Sequence, residues 1–364
     1  MDGTRKASKE PSGRQTTLSF SGSGLWAPLA LHRSSILWGS ALSLFTWLFG
    51  DKGPAATAGA KQPKRAVELD AFDGRFVQIA SRDFFGQFSR SPNGRFQIVW
   101  REEPWINGRK PGKGAWLLLD REQVCAEGRA ERPNDGKVAD NGTVILNDWL
   151  LATGELSGTF LALRADGSLI LSRRFTANLF NNGLSPDGRY AVCQTCNSST
   201  EDSSRLTIFD LGAGVELGSR IPESGWAQSY EFSVDGRTLR LKYHDGDSFA
   251  YSLRGNFIDR ETWIQRSLAK GDLYLISQLL HSYSNAPPSE FASRLLAGIE
   301  NGLGSQRRDD PRARAWALKL RGLCLEAMSE SREALTSYDE ALSLDPKVGV
   351  KRRAERLRGD LRRQ

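Results

Sequence analysis

Gly183-Leu184-Ser185-Pro186-Asp187-Gly188-Arg189-Tyr190-Ala191-Val192 reads as a tight turn feeding a β-strand, and the pattern occurs four times. The other copies are Ser91-Pro92-Asn93-Gly94, Ala139-Asp140-Asn141-Gly142 and Ser233-Val234-Asp235-Gly236; the glycines fall 48, 46 and 48 residues apart. Proline presets φ for the second position of a type I turn, and Asp or Asn stabilises the turn through its side chain. Glycine takes the left-handed conformation that residues with a Cβ resist, so valine at 188 is expected to cost roughly 1–3 kcal/mol. An even period of this size marks a repeat architecture.

A β-rich run follows each turn: Arg95–Trp100, Thr143–Leu146, Arg189–Cys193 and Arg237–Leu241. A second strand follows in each copy: Trp116–Asp120, Phe160–Leu163, Leu206–Asp210 and Ser248–Tyr251. Two hairpins in a period of about 47 residues make a four-stranded unit, the size of a propeller blade.

The runs FSRSPNGRF, GLSPDGRYAV and EFSVDGRTLRL resemble blade hairpins of the WD-repeat and TolB-like propellers, over residues 66–257. The resemblance implies a β-propeller-like domain of four or five blades. No copy carries the Trp-Asp dipeptide that closes the third strand in the WD repeat. An upstream piece, Val67–Phe76, resembles the second half of a blade and could pair with the last repeat to close the ring. Such propellers include enzymes, scaffolds and translocation factors, so the resemblance implies a fold and leaves the activity open.

Beyond Phe257 the pattern turns helical, giving a second region, 258–364. Within it, Arg312–Pro346 resembles a tetratricopeptide repeat. Gly322, Ala334, Tyr338, Ala341 and Pro346 keep that motif's spacing of twelve, four, three and five. Leu318, Arg321 and Leu325 depart from it. A single repeat cannot stack alone, so the flanking helices are expected to serve as its neighbours.

Residues 1–24, rich in Ser, Gly, Thr and basic side chains, read as a disordered tail, and 51–65 as a linker. Between them lies the hydrophobic segment 25–50. Its charge-free core, Ile36–Phe49, would span about 21 Å as a helix, against a bilayer core of about 30 Å. It reads as a membrane anchor, a signal sequence or a buried helix. Cations within about 15 residues favour the C-terminal side, which would leave the main body cytoplasmic. Arg5, Lys6, Lys9 and Arg14 argue the other way. A soluble cytoplasmic or an exported protein is the alternative.

The charge is local. Lys347–Gln364 holds eight Lys or Arg against Glu355 and Asp360, which is +6 of the chain's formal +7. That tail could bind an acidic partner, nucleic acid or anionic lipid. It lacks the interleaved aromatics of a base-stacking surface and equally fits a solvated helix end whose cations suit the macrodipole.

Little else points to catalysis. Four cysteines are too few for a disulfide framework, and three histidines are too scattered for a metal cluster. Cys193 and Cys196 form a CxxC, but on a strand rather than at a helix start, so they read as structural. Ser185 lacks the last glycine of a nucleophile elbow and sits in a repeat turn. His244-Asp245-Gly246-Asp247 reads as a hairpin turn rather than a cation loop. Gln15–Phe20 lacks the paired aromatics of a clamp-binding box. No cofactor is indicated.

The sequence therefore points to a non-enzymatic scaffold for protein–protein interaction, with 258–364 a separable docking module. Its candidate contact residues are Arg312, Trp316 and Lys319, spaced four and three apart on one helical face. Two cations around an aromatic suit an acidic peptide. The alternative is a ligand-binding or enzymatic propeller that uses polar residues at its central pore.

Overall fold

The computed structural model describes residues 69–72, 74–103, 112–150, 156–305 and 310–363. The expected tail 1–24, the hydrophobic segment 25–50 and the linker 51–65 lie outside these residues. Among the described residues, no helix is long and apolar enough to cross a membrane.

The β-region is four antiparallel sheets. The first runs β1 (Leu69–Phe72), β2 (Phe76–Ile79), β3 (Phe84–Arg90), β4 (Phe96–Arg101), β5 (Gly114–Asp120) and β6 (Gln123–Ala130) in chain order. The second holds β7 (Pro133–Val138), β8 (Val144–Leu150), β9 (Ser157–Leu163) and β10 (Leu169–Phe175). The third holds β11 (Leu179–Leu184), β12 (Tyr190–Thr195), β13 (Leu206–Asp210) and β14 (Val215–Arg220). The fourth holds β15 (Ser229–Phe232), β16 (Thr238–Lys242) and β17 (Ser248–Ser252). Each repeated turn closes a hairpin, β3–β4, β7–β8, β11–β12 and β15–β16, whose second member is the run the sequence places after that turn.

The turns are built alike. Ser185 Oγ donates to Asp187 Oδ1 at 2.6 Å and accepts from the Tyr190 amide at 2.9 Å. Ser91 and Ser233 repeat both bonds. In all four turns the Asp or Asn Oδ1 also accepts from the amide two residues on, and at Ala139, which has no hydroxyl, that bond from the Thr143 amide to Asn141 stands without the serine bonds. Successive turns are also tied together. The Asn93 amide donates to Asp140 Oδ1, and the Asp140 amide to the Pro186 carbonyl, both at 2.8 Å.

Alternation along the strands that follow the turns, β8 and β12 among them, makes the stack. Neighbouring residues of a strand face opposite ways. Val144 and Leu146 pack into a core with Ile98, Trp100 and Leu118 of the first sheet, while Ile145 enters the next core with Phe175 and Cys193. Ala191 and Cys193 face that same core, and Val192 faces the following one with Leu239 and Tyr251 of the fourth sheet. Each of these strands thus feeds two cores, and the sheets stack face to face in chain order.

One expectation fails. The upstream piece does not pair with the last repeat. It folds as the β1–β2 hairpin and continues through β2–β3 into the first sheet, with Phe76 stacked on Phe85 at 5.4 Å. The loop from β2 to β3 is short, whereas closure onto the fourth sheet would join segments far apart in the chain at a larger entropic cost.

Six helices follow among the described residues: α1 (Arg260–Ala269), α2 (Leu273–Ser282), α3 (Ser289–Ser305), α4 (Pro311–Ala327), α5 (Ser331–Leu344) and α6 (Lys351–Arg363). α3 packs on α1, α2 and α4; α4 packs on α5, and α5 on α6. Pro311 opens α4 where no amide bond is lost, and Asp310 caps it through the Arg312 and Ala313 amides. Leu318, Gly322, Leu325, Ala334, Tyr338 and Ala341 are all buried, as their spacing predicts.

The helices are fastened to the fourth sheet. The Asp245-Gly246-Asp247 turn between β16 and β17 receives Lys270 of α1, with Nζ at 2.5 Å from Asp245 and 2.6 Å from Asp247. Arg266 pairs with Asp247, and Arg260 with Glu223. Across the junction Tyr251 stacks on Phe257, which in turn meets Trp263 at a tilt. Residues 62–364 form one compact unit. Lys270 holds the Asp245 carboxyl below its ordinary range. A depressed carboxyl contributes stability above its unfolded pKa and loses it as pH falls. Lys270→Ala is therefore expected to lower stability by at most about 1 kcal/mol at neutral pH, since the pair is solvent-exposed. Urea titrations at neutral and strongly acidic pH should show the gap from wild type closing in acid.

Candidate functional site

α4 brings the three expected contact residues onto one face but leaves them unequal. Arg312 is exposed, and among the described residues its side chain has no carboxylate partner. Trp316 is half-buried against the helical core. Lys319 is half-buried and donates from Nζ to the Val348 carbonyl at 3.1 Å, bracing the loop before α6. The other arginines of α4 are engaged: Arg314 with Glu340, and Arg321 with Glu300 and Ser337. The free part of the face is thus Arg312 beside the rim of Trp316.

Much of the basic tail is internal fastening. Arg353 and Arg356 of α6 both donate to Glu326 of α4, and Arg358 to Asp339 of α5. These cations pin the last helix to the two before it.

A second cluster lies where the strands leading into the repeated turns meet; β3 contacts β7, β7 contacts β11, and β11 contacts β15. Lys137 of β7 donates to Asp135 at 3.1 Å and to Asn182 Oδ1 of β11 at 2.9 Å. Asn182 returns a bond to the Asp135 carbonyl. Further on, the Tyr230 hydroxyl meets Asn181 Oδ1 at 2.6 Å and Gln194 Oε1 at 2.8 Å. Asn181 and Gln194 in turn donate to the carbonyls of Ala227 and Gly225. Burial pushes the Tyr230 phenol well above its usual range, so it stays protonated and donates. Beside this lacing the Asn134 amide is buried with neither atom partnered, and Asn147 Nδ2 is likewise unpartnered. The cluster could present amide, ammonium and carboxylate groups to a small polar ligand.

Sequence reasoning missed this cluster. A signal existed: Gln87, Asp135, Asn181 and Ser229 each stand four residues before their turn, so all four strands leading into the turns carry a polar residue at that register.

The remaining motifs hold structural positions. Cys193 is fully buried, and burial drives its thiol well above the ordinary range; Cys196 is raised for the same reason. Both are free thiols. Ser185 Oγ is occupied within its turn. Among the described residues, no group of three or more His, Cys, Asp or Glu is placed to hold a metal ion.

No family model and no curated protein matches the sequence. Solved structures with a similar course include the β-propeller domain of Myceliophteria thermophila Cps50 (Swd1), at 11% identity and TM-score 0.30, covering 49% of this chain and 58% of that one. The Pseudomonas aeruginosa periplasmic gluconolactonase PpgL has 16% identity and TM-score 0.30 over 50% and 60% of the two chains. Chaetomium thermophilum Sqt1, bound to the N-terminus of ribosomal protein L10, has 13% identity and TM-score 0.35 over 50% of each. The chain spans half to three fifths of the length of these structures, and likeness at this level carries no functional weight.

Proposed function

We propose that the chain is a non-enzymatic scaffold for protein–protein interaction. In this reading the four sheets of 66–257 are propeller-like blades, and 258–364 is a tetratricopeptide-like module that docks an acidic segment of a partner protein. The observation that carries it is the junction. Ion pairs from Lys270, Arg266 and Arg260 and the aromatic contacts of Tyr251, Phe257 and Trp263 hold the helices against the last sheet and the loop before it. Two surfaces in fixed relation can hold two partners in fixed relation. On α4, Arg312 offers a guanidinium that can take a carboxylate in two-point fashion, and Trp316 offers apolar contact. Lys319 steadies the wall beside them through Val348.

Arg312→Glu tests this. The variant is expected to keep its circular dichroism spectrum and melting temperature, because the side chain is exposed. Its binding to the acidic partner segment should weaken about tenfold or more. Quantitative mass spectrometry of proteins retained by the tagged full chain and by the variant reads the difference. An unchanged set removes the docking surface and leaves the helices as a cap on the sheets.

A ligand-binding or enzymatic role is favoured by one feature, the buried Asn134 amide without partners beside Asp135 and Lys137. A small molecule that raises the melting temperature of the wild type but not of Asp135→Asn would support it.

A further inference from the structure

A cavity of about 580 Å³ lies where the outer edge of the third sheet meets the segment leading from β17 into α1. That volume is within the range of small-ligand clefts, roughly 300–1,000 Å³. Three guanidinium groups line it, those of Arg205, Arg220 and Arg260, with one carboxylate, Glu223. Each guanidinium is held by its Nε. Arg205 Nε donates to the Glu201 carbonyl at 2.5 Å, Arg220 Nε to the Arg254 carbonyl at 3.3 Å, and Arg260 Nε to Glu223 at 2.7 Å. Arg205 Nη1 also reaches the Ser219 carbonyl at 3.3 Å. Among the described residues, Arg205 and Arg220 have no carboxylate partner. The charged lining groups therefore sum to +2.

The backbone is shaped to make this cavity. A Cβ on Gly218 would lie 2.7 Å from the Arg254 carbonyl oxygen, and one on Gly255 would lie 3.2 Å from Arg220 Cδ. Gly218 lets the Arg254–Asn256 turn lie directly against β14, and Gly255 gives the Arg220 stem its bed. One wall is apolar. Ile221 is 62% exposed, and Phe257 is stacked on Tyr251 at 4.3 Å. Tyr251 is itself fixed through the Ser224 hydroxyl.

We propose that this cavity binds a phosphomonoester. Planar guanidinium forks held by Nε, with Arg205 Nη1 alone of the outer nitrogens given a backbone bond among the described residues, suit phosphate oxygens, and a local charge of +2 complements a group that carries about −1.5 to −2 at neutral pH. Ile221 and Phe257 receive the carbon skeleton next to the phosphate. Glu223 sets a limit on affinity by repelling the anion while it orients Arg260. The phosphate can come from a phosphorylated side chain of a partner or from a small phosphorylated molecule. The chemistry is shared, and the choice of probe separates the sources. The site is independent of the α4 face.

Isothermal titration calorimetry on the full chain tests the assignment with four probes: inorganic phosphate, O-phosphoserine, a short phosphoserine peptide, and the same peptide with glutamate at that position. The phosphorylated probes are expected to bind saturably, in competition with inorganic phosphate and more weakly as salt rises. Arg220→Gln should weaken them about tenfold or more, since a charge-assisted bond of this kind is lost. Glu223→Gln should tighten them, an effect that loss of folding cannot mimic. Tighter binding of the phosphopeptide than of O-phosphoserine identifies a protein source; equal binding identifies a small molecule. The assignment falls if no phosphorylated probe saturates, or if the glutamate peptide binds as tightly as the phosphopeptide. It also falls if Arg220→Gln and Glu223→Gln, both with wild-type melting temperatures, leave the affinities unchanged.

Discussion

Valine at position 188 is expected to lower the unfolding free energy by about 3–5 kcal/mol, whereas valine at position 94 should lower it by only about 1–2 kcal/mol. The two glycines are near twins in conformation, with φ of +75° and +74°. Both close the same turn, Gly94 in the first sheet and Gly188 in the third, so the backbone strain of a β-branched residue is common to them. Their surroundings differ. Nothing lies within 4 Å of a Cβ built on Gly94. A Cβ on Gly188 would sit 2.5 Å from Asn141 Oδ1 and 2.8 Å from Thr143 Cβ. Asn141 cannot retreat freely, because its Oδ1 holds the Thr143 amide at 2.9 Å in a turn that lacks the serine hydroxyl. Valine at 188 therefore strains its own turn and disturbs the neighbouring one. Urea denaturation with unchanged m-values reads both numbers. Equal losses would remove the contact between turns as a source of stability, and no loss at either site would remove the turn assignment itself.

That comparison shows where the sequence was informative. The turn chemistry is local, so Ser185, Asp187 and Gly188 announce their roles without knowledge of the rest of the chain, and the strands they launch lie within a few residues of their expected bounds. The crowding at Gly188 comes from Asn141 and Thr143 of the preceding sheet and has no local trace. The same holds at the strands leading into the turns. Asp135, Lys137 and Asn182 look like ordinary polar residues of strands, and only the contact of β7 with β11 makes them a network. His244–Asp247 was legible as a hairpin turn, but its use as the anchor for Lys270 depends on where α1 lands. Arg205, Arg220 and Arg260 are spread over 56 residues with no motif between them. They become a site only because Gly218 and Gly255 let the chain cross β14. The β1–β2 hairpin was misassigned for the converse reason: a repeat pattern suggests ring closure, and a short loop to β3 outweighs it.

Tyr338→Ala is expected to cost about 3–5 kcal/mol and to abolish any function of the α4 face, whereas Tyr338→Phe should cost only about 1 kcal/mol and preserve it. The ring of Tyr338 is fully buried between α4 and α5. It occupies the space that a side chain at Gly322 would need, since a Cβ there would stand 2.3 Å from Tyr338 Cε1. Glycine and tyrosine together fix how closely the two helices approach and how α4 is rotated, and that rotation decides where Arg312 and Trp316 point. The hydroxyl donates to Glu326 at 2.8 Å, but Glu326 also accepts from Arg353 and Arg356. Removing the hydroxyl alone therefore leaves the carboxylate partnered, while removing the ring opens a cavity at the helix crossing. Thermal melts followed at the helical band, paired with partner capture, distinguish the outcomes. Arg312→Glu should lose capture with its helices intact, and Tyr338→Ala should lose both together. A Tyr338→Ala protein that melts like the wild type would show that the helices are aligned by the α6 ion pairs rather than by the ring.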